Sequence, residues 1–453
     1  MPAELTLSLA IGGVGTDPAP RPVVESLVEA TVRSGTTGPS GFDLTFAVST
    51  GSPLVTSLLP QGYFDPPNRV ILSATLHGRT TVLVDGVITH HEMTPSDEPG
   101  KSVLAVKGED LTRMMDLLDL TGFPFPAMPA ELCIALMIAK YTPIYKIVPL
   151  IMPSVMLDVS NPLERIKSQR GTDLSYIKHL ADLVGYTFYL QPGPVPGMSM
   201  AYWGPMLRTA IPFLPTPAPI SIDWDGRSNV ESLGFAFDGF AKTLWVINIQ
   251  DTTSHLVYPI PVPDVNPISP PLGAKQPMPL KIQNLTGMAK YSPIQAAAIA
   301  LAKAAADANV VSGHGTLDVT RYGAILTART IIEVRGAGIT YDGEYFVDSV
   351  THTIKPGSYK QNFTLSRNAL IAGGGEPLGP LSYAISPVQQ LGGLADSAVR
   401  SAAAPPGTST SASPIGPLAP AGPLLTGPAG PLGALGQPSS AGSIAALPAS
   451  PMR

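Results

Sequence analysis

The stretch from Gly315 to Leu370, GTLDVTRYGAILTARTIIEVRGAGITYDGEYFVDSVTHTIKPGSYKQNFTLSRNAL, constrains the fold more than any other. Its apolar residues recur at every second position, a spacing that puts them on one face of an extended strand. Tyr359, Gln361, Phe363 and Leu365 alternate with Lys360, Asn362, Thr364 and Ser366, the pattern of a half-buried antiparallel strand. Ile325–Val334 sets Arg329 and Glu333 against Ala328, Thr330, Ile332 and Val334, which predicts another. Asp342-Gly343, between ITY and EYFV, has the composition of a two-residue type I′ hairpin turn. Lys355-Pro356-Gly357-Ser358 marks a second reversal. This stretch reads as an antiparallel β-module.

A second strand-rich group lies near the N-terminus. Residues 1–40 are apolar and small, then Gly- and Pro-rich, and Gly35–Gly41 carries no regular pattern. Phe42–Ser49, Arg69–Leu76, Thr80–His90 and Ser102–Lys107 alternate as strands, with Asp85-Gly86 read as a turn inside the third. Short strands at such spacing argue for a sandwich or barrel. Asp110 is placed to cap a helix over DLTRMMDLLDL. Between the two groups the periodicity turns helical. Pro129–Tyr141 is apolar on nearly every side, which suits a buried helix or one packed on another subunit. Asn161-Pro162-Leu163-Glu164 has the composition of a helix start. Asp173–Val184 places Leu174, Ile177, Leu180, Ala181 and Val184 on one face, with Gly185 at the stop. YTFYL follows as a strand, then a Pro-rich loop or short hairpin holding Tyr202 and Trp203. Ile220–Trp224, Leu233–Asp238 and Thr243–Ile249 resume strand pattern, and Pro259–Pro279 reads as a long Pro-rich connection. Ser292-Pro293-Ile294-Gln295 opens an Ala-rich helix. The predicted class is mainly β with α (α+β): strand groups over 1–120 and 220–370 flank a helical and mixed region at 121–219. Residues 371–453 are low-complexity Gly, Pro, Ala and Ser and read as a flexible tail.

At 453 residues the chain is long enough for two or three domains. Only 13% of residues are charged and the net charge is −5, so the electrostatic footprint of a nucleic-acid binder is missing. The N-terminus has no basic segment before its apolar residues, and the longest apolar stretch, Ile147–Leu157, is broken by Pro149 and Pro153. Direct membrane insertion is not expected. The one cysteine, Cys133, sits in ELCIALMIAKY as a small core residue and has no internal partner for a disulfide.

The search for chemistry returns structural readings. His90 and His91 are adjacent on a predicted strand, so they face opposite ways and make no bidentate metal site. His314 lies between glycines and His352 on a sheet face. Asp342 and Glu344 flank a turn glycine, and Gly336-Ala337-Gly338 joins strands instead of opening a helix, so it is no phosphate loop. There is no G-x-S-x-G elbow. No catalytic, cofactor-binding or metal-ligating residue is assigned, and the chain reads as a non-enzyme.

Several stretches, in order, resemble one family. They are VDGVITHHEMTPSDEPGKSVLAVKGEDLTRMMDL at Val84–Leu117, GTDLSYIKHLADLVGYTFYL, YWGP at Tyr202–Pro205, SNVESLGFAFDG at Ser228–Gly239, and the run from LDVTRYGAILTAR to YKQNFTLSRNAL. Together they are similar to the phage late-control D (tail hub) group, related to the first part of the valine-glycine repeat (VgrG) spike proteins of type VI secretion. The resemblance covers about residues 5–370. It places Asp85, Gly86, Asp110, Gly171, Asp173, Leu174, Gly185, Asp342, Gly343, Phe363 and Arg367 in family motifs with structural roles. It implies two tube-protein-like β-barrel domains per chain and a homotrimer that joins a six-fold inner tube to a three-fold spike. Expected partners are the inner-tube protein, a separate spike protein and other baseplate proteins. The chain would be made in the bacterial cytoplasm and built into a phage tail or contractile injection particle. Two alternatives come with it: an effector-loading or anchoring component using the tail, and a cell-wall hydrolase.

Overall fold

The computed structural model describes residues 5–372, apart from 99, 127, 155–166, 209–216, 223–227, 251–256, 263–269 and 289–292. By internal contacts the chain divides into Met1–Ala404 and Pro405–Arg453, and all described residues belong to the first unit. The Asn161–Glu164 helix start, the cap residue Ser292 and the tail from 373 onward lie outside the described residues.

The N-terminal group holds β1 (Leu5–Gly12), β2 (Thr16–Pro18), α1 (Arg21–Ser26), β3 (Leu27–Gly35), β4 (Gly41–Ala47), β5 (Arg69–Leu76), β6 (Arg79–Thr94), β7 (Val103–Asp110) and α2 (Thr112–Met115). The first and third of these strands form where the sequence suggested none. In β3, Ala30 and Val32 are fully buried while Arg33 is exposed, so the strand alternates although small residues mute its pattern. Asp85-Gly86 is no turn. The sixteen-residue β6 runs straight through it, with Asp85 opposite Ile71 and Gly86 opposite Val70. The β5–β6 reversal falls instead at His77-Gly78, both in the left-handed region (φ 50° and 76°). The helix expected after Asp110 closes after one turn, leaving Leu117 and Leu118 exposed.

The middle region holds β8 (Pro124–Phe125), α3 (Ala130–Ala139), α4 (Thr142–Tyr145), β9 (Ile147–Ile151), β10 (Lys167–Ser168), α5 (Asp173–Asp182), β11 (Thr187–Pro192) and β12 (Ser199–Gly204). β11 and β12 form the hairpin that carries Tyr202 and Trp203, and β9 joins it in parallel at the edge. Helices α3 and α5 bury Cys133, Ile134, Ile138, Ile177 and Leu180 in a core of their own around Trp203. Only half of α3 is covered: Leu132 and Leu136, one turn apart, remain exposed.

The C-terminal group holds β13 (Ile220–Ser221), β14 (Ser232–Phe237), β15 (Thr243–Gln250), β16 (Val257–Val262), β17 (Lys281–Leu285), α6 (Pro293–Ala306), β18 (Val311–Asp318), α7 (Val319–Tyr322), β19 (Ile331–Arg335), β20 (Gly343–Lys355) and β21 (Ser358–Arg367). Part of the expected Pro-rich connection is strand: Pro259 and Pro261 sit in β16, an edge strand beside β15. An edge tolerates proline because half its N–H groups have no ladder to enter. The strand expected over Ile325–Val334 starts only at Ile331. Ahead of it, the Gln361 side-chain amide holds Leu326, accepting from its N–H at 3.0 Å and donating to its carbonyl at 2.8 Å. Asp342-Gly343 does not form a two-residue turn. Residues 336–342 make a wider loop that Asp342 closes by accepting from the Ala337 N–H at 2.7 Å, and Gly343 opens β20. Pro356-Gly357 turns the chain between β20 and β21 as expected.

The two strand groups fuse. Ser349–Ile354 of β20 pair antiparallel with Ala30–Gly35 of β3, giving one 13-stranded sheet. Its main path runs β14-β18-β21-β20-β3-β4-β7-β6-β5-β1-β2. The fold is thus mainly β with α, and among the described residues the pairing is an open path that closes neither group into a barrel. One core spans both groups, with Val32, Phe42 and Leu44 from the first and Val334, Tyr345 and Phe363 from the second. Each fully buried side chain of this size contributes roughly 1.5–3 kcal/mol.

Candidate functional site

The residues singled out by sequence do not converge on one cleft. They fall into three buried polar clamps, each where separate elements meet. The first lies between the N-terminal group and the middle region. Asp85, 3% exposed, accepts from Arg69 Nε at 2.7 Å and Nη2 at 2.6 Å. The same Nη2 lies 3.1 Å from the carbonyls of Tyr145 and Gly197, and Ser199 Oγ donates to Asp85 at 3.0 Å. One ion pair thereby ties β5 and β6 to the end of α4 and the start of β12. Gly86 is required beside it, since a Cβ there would stand 2.2 Å from the Glu109 carbonyl oxygen. At the end of β7, Asp110 accepts from the backbone N–H groups of Ser40 at 3.0 Å and Thr112 at 2.9 Å, and from the Thr112 hydroxyl. Burial pushes its carboxyl pKa up, against the opposing pull of these hydrogen bonds and of Arg329.

The second clamp binds the two core helices. Asp173 accepts from Lys140 Nζ at 2.6 Å, the Tyr141 hydroxyl at 2.7 Å and Gln169 Nε2 at 2.8 Å. Burial, and next Asp173, push the Tyr141 phenol up, so it stays a donor. Gly171, with φ 74°, donates its N–H to Thr121 Oγ1, and Thr172 caps α5 by accepting from the Ser175 N–H. Leu174 is half-buried behind this cap. Gly185 ends the segment in the left-handed region, φ 69°, and a Cβ on it would fall 2.3 Å from Ala302 Cβ of α6.

The third clamp is built on Arg367, fully buried, whose guanidinium is spent on backbone carbonyls. Its Nε donates to the Leu272 carbonyl, Nη1 to that of Asp342 and Nη2 to that of Ile371, at 3.1, 2.8 and 2.9 Å. Its guanidinium carbon lies 5.1 Å from the centre of the Tyr345 ring. Gly273 and Gly343 make room: a Cβ on either would stand within 3 Å of Nη2. Phe363 packs in the shared core near this end of the sheet.

Two arginines matter more than their sequence context suggested. Arg69 carries the first clamp. Arg329, read as one polar position in an alternating strand, sits at φ 64° with its guanidinium 4.1 Å above the Tyr189 ring and Nη2 donating to the Gly35 carbonyl. It joins C-terminal group, middle region and β3 at one point. The signal available was a lone arginine in a Thr/Ile-rich run. His90 and His91 lie at the exposed end of β6, and His352 is fully buried. Among the described residues no group of three or more His, Cys, Asp or Glu side chains is placed to hold a metal ion. No described helix is long and apolar enough to cross a membrane.

No protein-family model and no curated protein sequence matches the chain. Solved structures do. A tail protein from Neisseria meningitidis MC58 superposes with a TM-score of 0.51 at 13% identity, over 81% of this chain and 98% of the other. This chain has the fold of that tail protein. The VgrG-containing PdpA–VgrG complex of Francisella, in its lidded form, matches with a TM-score of 0.50 at 8% identity, over 83% of this chain and 55% of that chain. The fold is therefore shared with that tail protein and with a chain of the PdpA–VgrG complex, with little sequence in common.

Proposed function

We propose that the chain is a structural baseplate hub: a homotrimer, two related β-modules per copy, that joins the inner tube of a phage tail or contractile injection device to a separate spike protein. The observation that carries this reading is the β3–β20 ladder, which welds two strand groups into one sheet and presents them as a rigid pair. Three such pairs make six modules, matching a six-fold tube on one side and a three-fold spike on the other. The buried clamps serve the same end, because each fixes a seam between elements and none exposes a reactive group. Exposed apolar residues at the middle region, Leu132, Leu136, Val148 and Leu150, suit burial in a particle more than free solution.

The test is assembly. Purified chain should sediment as a trimer at micromolar concentration and co-migrate with the tube and spike proteins encoded beside it. A chain that stays monomeric and binds neither ends the proposal.

A further inference from the structure

We infer that residues 381–385 of the same chain lie as an added strand along the outer edge of β17. Such a strap goes beyond the hub reading and stands or falls apart from it.

β15, β16 and β17 form a small sheet with α6 packed on one face, where Trp245, Ile247 and Leu285 meet Ala300, Leu301 and Ala304. On the opposite face the register sets Leu244 beside Ile282 and Val246 beside Pro261, so all three strands contribute apolar side chains. Met278, Leu280 and Ile282, at every second position, are 80%, 61% and 69% exposed. That spacing draws one apolar stripe along an extended segment. Single apolar residues at a surface need no explanation, but a continuous row of them marks a contact. The backbone beside the stripe is open too. Among the described residues β17 pairs only with β15, and a free edge of this kind accepts an extended segment by strand addition. The edge borders a groove of about 540 Å³ lined by Trp245, Ile282 and Leu285, with Gln283 and Asn284 as its polar side.

The occupant is named by where the chain goes. Leu370 exchanges both backbone hydrogen bonds with Lys275, at 2.8 and 2.9 Å, and Ile371 accepts from the Ala274 N–H. The chain thus passes out of the described fold beside a residue three positions ahead of Met278. From Gly373 it continues GGGEPLGPLSYAI. Leu381, Tyr383 and Ile385 alternate with Ser382 and Ala384, a second apolar stripe at the same spacing. Pro380 and Pro387 bracket it and limit an added strand to the residues between. Reach is sufficient. Fully extended, the chain from Leu370 to Leu381 spans about 36 Å, against about 17 Å from Lys275 to Leu280. The surplus covers the reversal, which the three glycines at 373–375 permit without steric cost. Charge agrees as well: in the strap Glu376 returns past Lys275 and Lys281, both exposed. A segment tethered this closely meets its site at roughly millimolar effective concentration, so a modest apolar contact holds it against competitors from solution. Whatever follows Pro387 then starts from the β17 end of the small sheet.

Chymotrypsin reads the strap in the full chain, because Tyr383 is the one aromatic residue after Leu370. Cleavage there is expected to be at least tenfold slower in the wild type than in a Leu280→Asp, Ile282→Asp variant, whose substitutions fall at exposed positions. Equal rates in the two, fast or slow, overturn the inference. A short bis-maleimide gives a second measurement, with Cys133 buried and out of reach. Ile282→Cys with Tyr383→Cys in one chain should close an internal loop, and co-expression of the two single variants should give no link between chains. Linkage between the single variants assigns the site to a neighbouring copy's tail and overturns the inference, as does a double variant that fails to link. Sedimentation of the same samples keeps the two readings apart. A trimer with rapid cleavage at Tyr383 sinks the strap and leaves the hub standing; a monomer with that site protected does the reverse.

Discussion

Replacing Asp85 by asparagine leaves the Arg69 guanidinium buried beside a neutral amide, with side-chain exposure of only 4% for the arginine. Breaking a buried pair from one side costs about 3–5 kcal/mol, so Asp85→Asn should lower the denaturation midpoint severely, while Arg69→Met with Asp85→Leu should recover most of the loss. Chemical denaturation of the three variants checks both outcomes. His352 gives a second test at this scale. It is enclosed by Tyr359 and Gln361, and the Gln361 amide donates to its Nδ1 at 3.0 Å. Burial lowers its pKa from 6.5 to about 4. The native state thus binds fewer protons than the unfolded state between those values. Its contribution is complete above pH 6.5 and is lost as the pH falls toward 4, by about 3 kcal/mol in all. His352→Gln should flatten that acid limb in a urea titration run at several pH values. Residue roles were the least legible part of the sequence. Asp85-Gly86 has turn composition, and only the structure shows it spent on a buried ion pair and a close backbone approach. His352 lies between Val350 and Ile354 at alternate positions of β20, an apolar setting that the sequence displays.

Elements were legible where side chains were large and periodic. β5, β21 and α5 lie where alternation or a helical face placed them, and Gly185 stops its segment as a left-handed glycine should. That glycine has a second duty that no local pattern reveals, the contact with Ala302. Gly185→Ala should therefore cost more than the roughly 1 kcal/mol of a left-handed alanine alone, and hydrogen exchange should show α6 loosening along with the end of α5. Misreadings came from tertiary substitutes for local structure. Gln361 stands in for a strand partner at Leu326, so the strand starts late. The prolines of β16 looked like loop because an edge accepts what an interior strand would refuse.

At the scale of the whole molecule, the sequence pointed to two strand groups around a helical middle but gave no sign that the groups share one sheet. The reason is that partner choice is a long-range property: LVEATVRSG can show that β3 is a strand but not that it pairs with β20 and carries the junction. Ala30→Pro, which removes a ladder donor between Leu44 and Ile354, should destabilise both groups together. Amide exchange in β5 and in β18 would then rise in step; a rise confined to the N-terminal strands would show that the groups hold independently. The six paired positions of that junction also set a mechanical direction. A load along the strands must shear all of its hydrogen bonds at once, whereas a load across them opens the bonds one after another like a zip. Pulling the chain from its two groups in the two geometries would read that anisotropy as a difference in rupture force.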